Sequence, residues 1–467
     1  MMKVKGLAIP CLDLQRWGVD CHSLCKVRAW LFICLAITLQ IQLTLFTSPS
    51  YFGLRVALSD LALPVAGIAI LAMMLRHKTT WPNWECRTID FWMVGSVAIF
   101  SVALWQGMVL YETPQIWSLV NRYLGWLVII AYVYLAGWLA TQTDSGDQIK
   151  IFASVLCFFC FITFAIYTAH ILPIDPLGKQ RWKVPGYPVD VLMENRNAFA
   201  FLFCTALVLM GAALRAGIQL VPMALFQAFL VIMPIAFVYN GSRAGWIITA
   251  LLLVLAGCTM GKLFWRRLFP CIAVGLIACL ALYAYSPKAV FREKQFESFE
   301  DIANLAKPGE QISSAKTARN YYPDATEAPK TEIARKGDQL RVFVWQDALD
   351  LWHTRPVLGA GLGNFLEYQK AKYGQYYDQI DNAPLWLLTE MGLLGLTFFA
   401  AFYIWVFTRL LSQMRKGLPS LKWLYEALLV LMLVFALFSL VHQIMFARVF
   451  WFLLGLGLAL PKPQISA

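Results

Sequence analysis

Long apolar runs separated by short clusters of charge, glycine and proline dominate the chain. The runs have the length of membrane spans, since crossing the hydrocarbon takes ~20 residues of helix. They lie near 29–47, 54–75, 90–110, 116–139, 150–171, 196–215, 219–238, 242–261, 266–285, 384–409, 423–441 and 443–460. The pattern predicts an all-α polytopic membrane protein with about 12 transmembrane helices. One connection is not short. Residues 286–383, between spans 9 and 10, are rich in Lys, Glu, Asp and Tyr and too polar for lipid, so the chain divides into 1–285 (spans 1–9), 286–383 (a large polar loop) and 384–467 (spans 10–12). Within the loop, Leu340, Val344, Ala348 and Leu351 recur at helical spacing, which predicts an amphipathic helix over 338–353 at the membrane mouth.

Composition excludes the other classes. Of 467 residues, 60% are hydrophobic and 14% charged, against ~45–50% and ~25% in a soluble domain. Lys and Arg precede the first span and recur in alternate connections (Arg76, Lys78, Arg87; Arg215; Arg266, Arg267; Arg415, Lys416), while the turns 48–53 and 111–115 carry none. The positive-inside rule then places both termini in the cytoplasm and the large loop outside. All eleven cysteines fall in spans or on the inner side, which argues against structural disulfides. The net charge of +12 belongs to these loops. No basic tail interleaved with stacking aromatics accompanies it, so no nucleic-acid partner is expected.

Arginine at the centre of a span costs ~2.5–3.5 kcal/mol on insertion scales, so each one calls for a partner or a ligand. Arg55, Arg122, Arg196, Arg243 and Arg448 all fall within about two turns of the outer ends of their helices, and the loop before the sixth span adds Lys179, Arg181 and Lys183. Asp60 is a mate for Arg55, and Glu194 for Arg196 or Arg181. Pairing explains any one of them, whereas a shared anion explains the set, because the guanidinium fork matches phosphate oxygens. The histidines (His22, His77, His170, His353, His442) are scattered and no cluster has metal-ligand spacing, so a site without metal or cofactor is expected.

Three stretches carry more than composition. Asn195-Arg196-Asn197 opens the sixth span and Asn240-Gly241-Ser242-Arg243 the eighth, each setting a guanidinium at a helix entrance whose free N–H groups favour anions. The third is composite: Arg341 to Trp345, the run Arg355-Pro356-Val357-Leu358-Gly359-Ala360-Gly361-Leu362-Gly363-Asn364-Phe365, and Asp381-Asn382 followed by Gly392 and Gly395. The glycine run lacks the GK[ST] ending of a phosphate loop and reads equally as a tight, Pro-started turn packing the loop on the bundle. Asp381 and Asn382 precede Pro384 as a helix cap would. His353, between Trp352 and Thr354 at the end of the amphipathic helix, reads as structural.

On these motifs the chain resembles the O-antigen ligase and O-antigen polymerase superfamily of bacterial inner-membrane glycan transferases, which includes protein O-oligosaccharyltransferases. The resemblance implies twelve helices with a large periplasmic loop between spans 9 and 10. It also implies an Arg-bearing entrance to the eighth helix, the Pro-x-x-Gly-x-Gly-x-x-Asn-Phe turn, and a His-Asn or similar pair followed by Gly-x-x-Gly. Here Asp381 stands where ligases usually carry histidine. Either the carboxylate does the histidine's job, or the acceptor differs, or activity is lost.

The implied reaction moves a glycan from undecaprenyl pyrophosphate to an acceptor hydroxyl at the periplasmic face. O-antigen ligation onto lipid A core is the first expectation, and polysaccharide polymerisation or protein glycosylation the alternatives. Asp381 would be the base, with Arg243 and Arg196 on the pyrophosphate and Arg341, Arg181, Arg122, Lys183, Asn382 and His353 as further substrate-binding candidates. A reading from another class is a transporter of anions or lipid-linked sugars, although transporters usually place ionisable groups near the midplane.

Overall fold

The structure is a computed structural model and describes residues 21–45, 54–61, 63–64, 88–111, 118–141, 145–171, 196–240, 242–285, 337–373 and 379–459. Apart from one small hairpin, every regular element among them is helical. Helix α1 (Cys21–Thr38) comes first, and then strands β1 (Gln42–Leu45) and β2 (Leu54–Ala57) pair antiparallel with Leu43 opposite Val56. This hairpin corrects the expected spans 29–47 and 54–75. Helix α1 stops early because the Gln40 amide donates to the carbonyls of Ala36 (2.8 Å) and Leu156 (3.2 Å), satisfying the helix end before the chain extends. Most of the second expected span lies outside the described residues.

Helix α2 (Thr88–Tyr111) is followed by a π-helical segment, Ser118–Leu124, that runs into α3 (Gly125–Thr141). Next come α4 (Ser145–Ile171), α5 (Arg196–Arg215), α6 (Met223–Asn240) and α7 (Arg243–Met260), and then a second π segment, Phe264–Leu268, leading into α8 (Phe269–Tyr285). Beyond the large loop's undescribed part lie α9 (Gly337–Thr354), α10 (Asn364–Tyr373), α11 (Ala383–Lys416), α12 (Lys422–Ser439) and α13 (Arg448–Ala459). Helix α11 runs past its expected end at 409, so Arg409, Arg415 and Lys416 lie on its last turns.

Eight helices among the described residues are long and apolar enough to cross a membrane, and three shorter apolar ones accompany them. The protein is a multi-pass, all-α membrane protein. Its core is aromatic: Phe100 stacks on Trp126 at 5.2 Å, Phe399 and Trp451 meet Trp126 edge-on, and Phe435 stacks on Phe450 at 4.1 Å. Helix α13 lies along α3 through Gly455, where a Cβ would sit 2.6 Å from the Val133 carbonyl oxygen. A small residue at such a crossing lets two membrane helices approach closely. Ile247, Leu251 and Val254 of α7 and Val274, Ile277 and Leu280 of α8 are exposed, a face for acyl chains rather than water.

Candidate active site

The glycine-rich turn of residues 355–363 is built into a break in α11. At Gly392 the helix is interrupted (φ 67°, ψ −167°), a backbone conformation that glycine alone adopts without strain. The interruption frees carbonyls and amides inside the span, and the turn takes them up. Ala360 N–H donates to Thr389 O (2.8 Å) and Gly361 N–H to Glu390 O (3.0 Å), while Leu393 N–H donates to Pro356 O (2.9 Å) and Leu394 N–H to Val357 O (3.1 Å). On its other side the turn meets α2, where Leu362 N–H donates to Ala103 O (2.8 Å) and the Gln106 amide to Gly359 O (2.7 Å). Irregular backbone at membrane depth survives only when such groups are satisfied by protein.

The first turns of α11, between its start and this break, carry a polar cluster. Asn382 is the N-cap: its side-chain oxygen accepts from Leu385 N–H (2.8 Å), and its amide donates to Leu440 O (2.8 Å), tying the α12–α13 connector to the start of α11. Capping therefore falls to Asn382, and the Asp381 carboxylate faces elsewhere. One oxygen lies 3.8 Å from Arg341 Nη2 on α9, the other 3.3 Å from His442 Nδ1 on the connector. The His442 contact is at ion-pair distance but off the hydrogen-bonding line.

Arg122 sits just behind, buried, on the π segment that opens α3. Its Nη2 donates to Gln379 Oε1 (2.9 Å), and its guanidinium lies 5.0 Å from the Trp386 ring and 5.5 Å from that of Phe446. A π turn is a common device for re-aiming a side chain at a functional position. The Trp386 indole donates to Glu390 Oε2 (2.7 Å), and Glu390 is buried within electrostatic reach of Arg122.

A second group stands at the entrances of α5 and α7. Ser242 caps α7 by accepting from Gly245 N–H (3.1 Å) and donates to Asn197 Oδ1 (2.6 Å), so two of the sequence motifs meet. Arg243 follows at the first position of α7, half-buried. The rings of Phe201 and Phe438 touch at 5.6 Å. Asn197 and His442 each lie four residues, ~6 Å of helical rise, from that pair, which sets both polar groups at one end of the bundle.

The structure thus brings Asp381, Asn382, Arg341 and Arg122 together. It separates His353, which is exposed at the far end of α9, twelve residues or ~18 Å along the helix from Arg341, with its ring 4.8 Å from Trp352. Arg196 opens α5, its side chain not among those described, and Arg181 and Lys183 lie outside the described residues. Arg448 leaves the expected arginine set. It makes two hydrogen bonds to Asp60 (2.8 and 2.6 Å), the carboxylate expected for Arg55, and Tyr132 donates to the same carboxylate at 2.7 Å. His442, Gln379 and Glu390 are additions. Glu390 alone had a signal, as an acidic residue within an apolar span.

Fold and cluster define a class: a multi-pass membrane protein holding arginine, carboxylate and imidazole around a broken helix at one end of its bundle. Residues 228–400 match the family model described as O-antigen ligase. That match, over less than half of the chain, supports the O-antigen ligase superfamily, of ligase/polymerase glycosyltransferase type. The matched stretch includes Arg243, Arg341, Asp381, Asn382, Glu390, the glycine turn and the break, while Arg122 and His442 lie outside it. No curated protein matches the chain.

Proposed function

We propose that the protein transfers a glycan from undecaprenyl pyrophosphate to an acceptor hydroxyl at the periplasmic face of the bacterial inner membrane, without a metal ion, as an O-antigen ligase acting on lipid A core. The observation that carries this reading is the placement of Asp381 between Arg341 and His442 at the start of a broken helix, with Arg122 buried beside it.

As the glycosidic bond breaks, negative charge grows on the departing diphosphate, and donors fixed in advance around it lower the barrier directly. Arg122, Arg341 and Arg243 supply guanidinium groups for that charge, with Arg196, Arg181 and Lys183 completing the anion site. Asp381 removes the acceptor proton from the face opposite the leaving group, and attack from that face inverts the anomeric centre. Asn382 holds Asp381 in register by capping the helix behind it.

The test uses purified protein in lipid nanodiscs with lipid-pyrophosphate-linked glycan and, in separate reactions, lipid A core, a second glycan repeat, or a hydroxyl-bearing peptide. Wild type is expected to glycosylate lipid A core, and Asp381→Asn and Arg122→Lys to lose at least tenfold in rate. Transfer that survives both substitutions, or movement of the donor across the bilayer with no covalent product, would overturn the reading.

A further inference from the structure

We propose that His442 is a positioning and proton-relay residue for Asp381, supplying from a different part of the chain an imidazole that the residue before Asn382 does not provide. The inference rests on the glycosyl-transfer reading and assigns a role that the 228–400 family match does not reach.

The geometry is specific. His442 follows α12 by three residues, and its backbone N–H donates to Phe438 O at 2.7 Å, continuing the helical turn. Two residues earlier, Leu440 O accepts the Asn382 amide at 2.8 Å, so the connector is fastened to the residue beside Asp381. The imidazole is therefore held against the carboxylate by two backbone anchors rather than by a long, mobile side chain. His442 is 9% exposed and Asp381 more open, its side chain at 26%. An acceptor hydroxyl thus reaches the more open carboxylate before the imidazole.

Charged groups among the described residues surround the pair on several elements. Arg341 on α9 lies 3.8 Å from the second carboxylate oxygen, and Arg122 on the π segment stands beyond Gln379 and Phe446. Glu390 lies deeper on α11, and Arg448 beyond the connector is matched by Asp60. The arginines keep their charge at any working pH. Of Arg341 and His442, the two described side chains shown above to meet the Asp381 carboxylate, the imidazole is the one of a type that ordinarily changes charge between about pH 5 and 8.

In the transfer step the acceptor oxygen bonds the anomeric carbon as its O–H bond breaks. The bond from that carbon to the pyrophosphate oxygen breaks with its electron pair leaving on the diphosphate. The proton goes to Asp381, passes to neutral His442 as the imidazole turns onto the carboxylate oxygen 3.3 Å away, and is released from His442 to water. A His442 already protonated cannot take it, and its charge makes the carboxylate a weaker base. Wild-type activity is therefore expected to rise with pH.

The experiment measures single-turnover transfer by full-length protein in nanodiscs across about pH 5 to 8, in H2O and D2O, for wild type, His442→Gln, His442→Asn and Asp381→Asn. Either amide variant keeps a polar contact to Asp381 but does not titrate. Wild type is expected to show a rising limb and a solvent isotope effect. The folded amide variants should lose the limb and fall about tenfold or more at its upper end. A loss by the same factor at every pH, unchanged activity, or a wild type with neither limb nor isotope effect would overturn the proposal. If the last result comes with Asp381→Asn inactive, the glycosyl-transfer reading stands and only the relay falls. If Asp381→Asn keeps full activity, that reading's choice of base falls as well.

Discussion

Substituting Gly392 tests whether the turn and the broken helix are one unit. A Cβ at Gly392 would lie 2.2 Å from Val357 O, 2.4 Å from Val357 C and 2.5 Å from Gly359 N, all backbone atoms that cannot swing aside as a side-chain tip can. Its φ of 67° costs a non-glycine residue about 1–3 kcal/mol. The overlap adds about 1–3 kcal/mol of overpacking. The easiest relief is to push the 355–363 turn off the helix, which severs the Leu393–Pro356 and Leu394–Val357 hydrogen bonds. Gly392→Ala should therefore destabilise by about 2–6 kcal/mol, concentrated at the turn rather than in the aromatic core. Gly211→Ala is the control: nothing lies within 4 Å of its Cβ, and alanine in a helix is neutral or stabilising by up to ~1 kcal/mol. Hydrogen exchange by mass spectrometry reads the peptides that contain Ala360, Gly361, Leu393 and Leu394. At about 1.4 kcal/mol per factor of ten, their exchange should accelerate about 30-fold or more in Gly392→Ala and not in Gly211→Ala. A folded Gly392→Ala protein whose turn amides stay as protected as wild type would refute the argument.

Other substitutions probe the remaining contacts. Asn382→Ala removes a helix cap worth about 1 kcal/mol as well as the bond to Leu440 O, so thermal unfolding should shift down; a melting curve superimposed on wild type would show that Asn382 is not the cap. Asp60→Ala strands a buried arginine and should destabilise by about 3–5 kcal/mol, whereas Asp60→Ala with Arg448→Met should recover most of that in the same unfolding assay; equal stability of the two variants would contradict the pairing. Deleting Leu124 turns everything before it by ~100° about the α3 axis, which should carry Arg122 off Trp386 and Phe446 and abolish donor binding in a filter assay while the protein still folds; retained binding would show that the π turn does not place Arg122.

The membrane helices were legible because each is a long run of one chemical character, and α5 was legible to the residue. The hairpin was not. Gln42 to Leu45 and Leu54 to Ala57 are apolar enough to extend a span, and only their mutual pairing makes them strands. The break in α11 was equally hidden, since hydropathy counts side chains and the break concerns backbone hydrogen bonds. Gly392 stood out as a motif position, but its partner across the gap, Val357, is in another element. The cluster was half legible for the same reason. Arg122, Arg341, Asp381 and Asn382 announce themselves as charge or cap near helix ends, while His442 reaches Asp381 across sixty-one residues of sequence with no spacing to signal it. Arg448 shows the converse, an arginine at the expected depth whose charge is already met by Asp60.

What distinguishes the site physically is that Asp381, Asn382, Trp386 and Glu390 share one rigid piece, on which groups from other elements converge. Between the cap at Asn382 and the break at Gly392, α11 is a short half-helix of about two and a half turns, bearing Trp386 and Glu390, with Asp381 just before its first residue. Its N-terminus turns the positive end of its dipole toward the cluster, a condition that favours an anion even before any arginine is counted. Its far end does not fray, because the glycine turn accepts and donates in place of the missing helical bonds. Arg122 lies across the middle of the piece, on the Trp386 face and within reach of Glu390, in surroundings whose aromatic rings lower the local dielectric and strengthen any contact with phosphate. In the proposed reaction the charge-stabilising groups are thus set in place before the diphosphate arrives. The barrier is lowered by preorganised charge, and the glycine turn acts as the fixed support of that charge rather than as a moving lid.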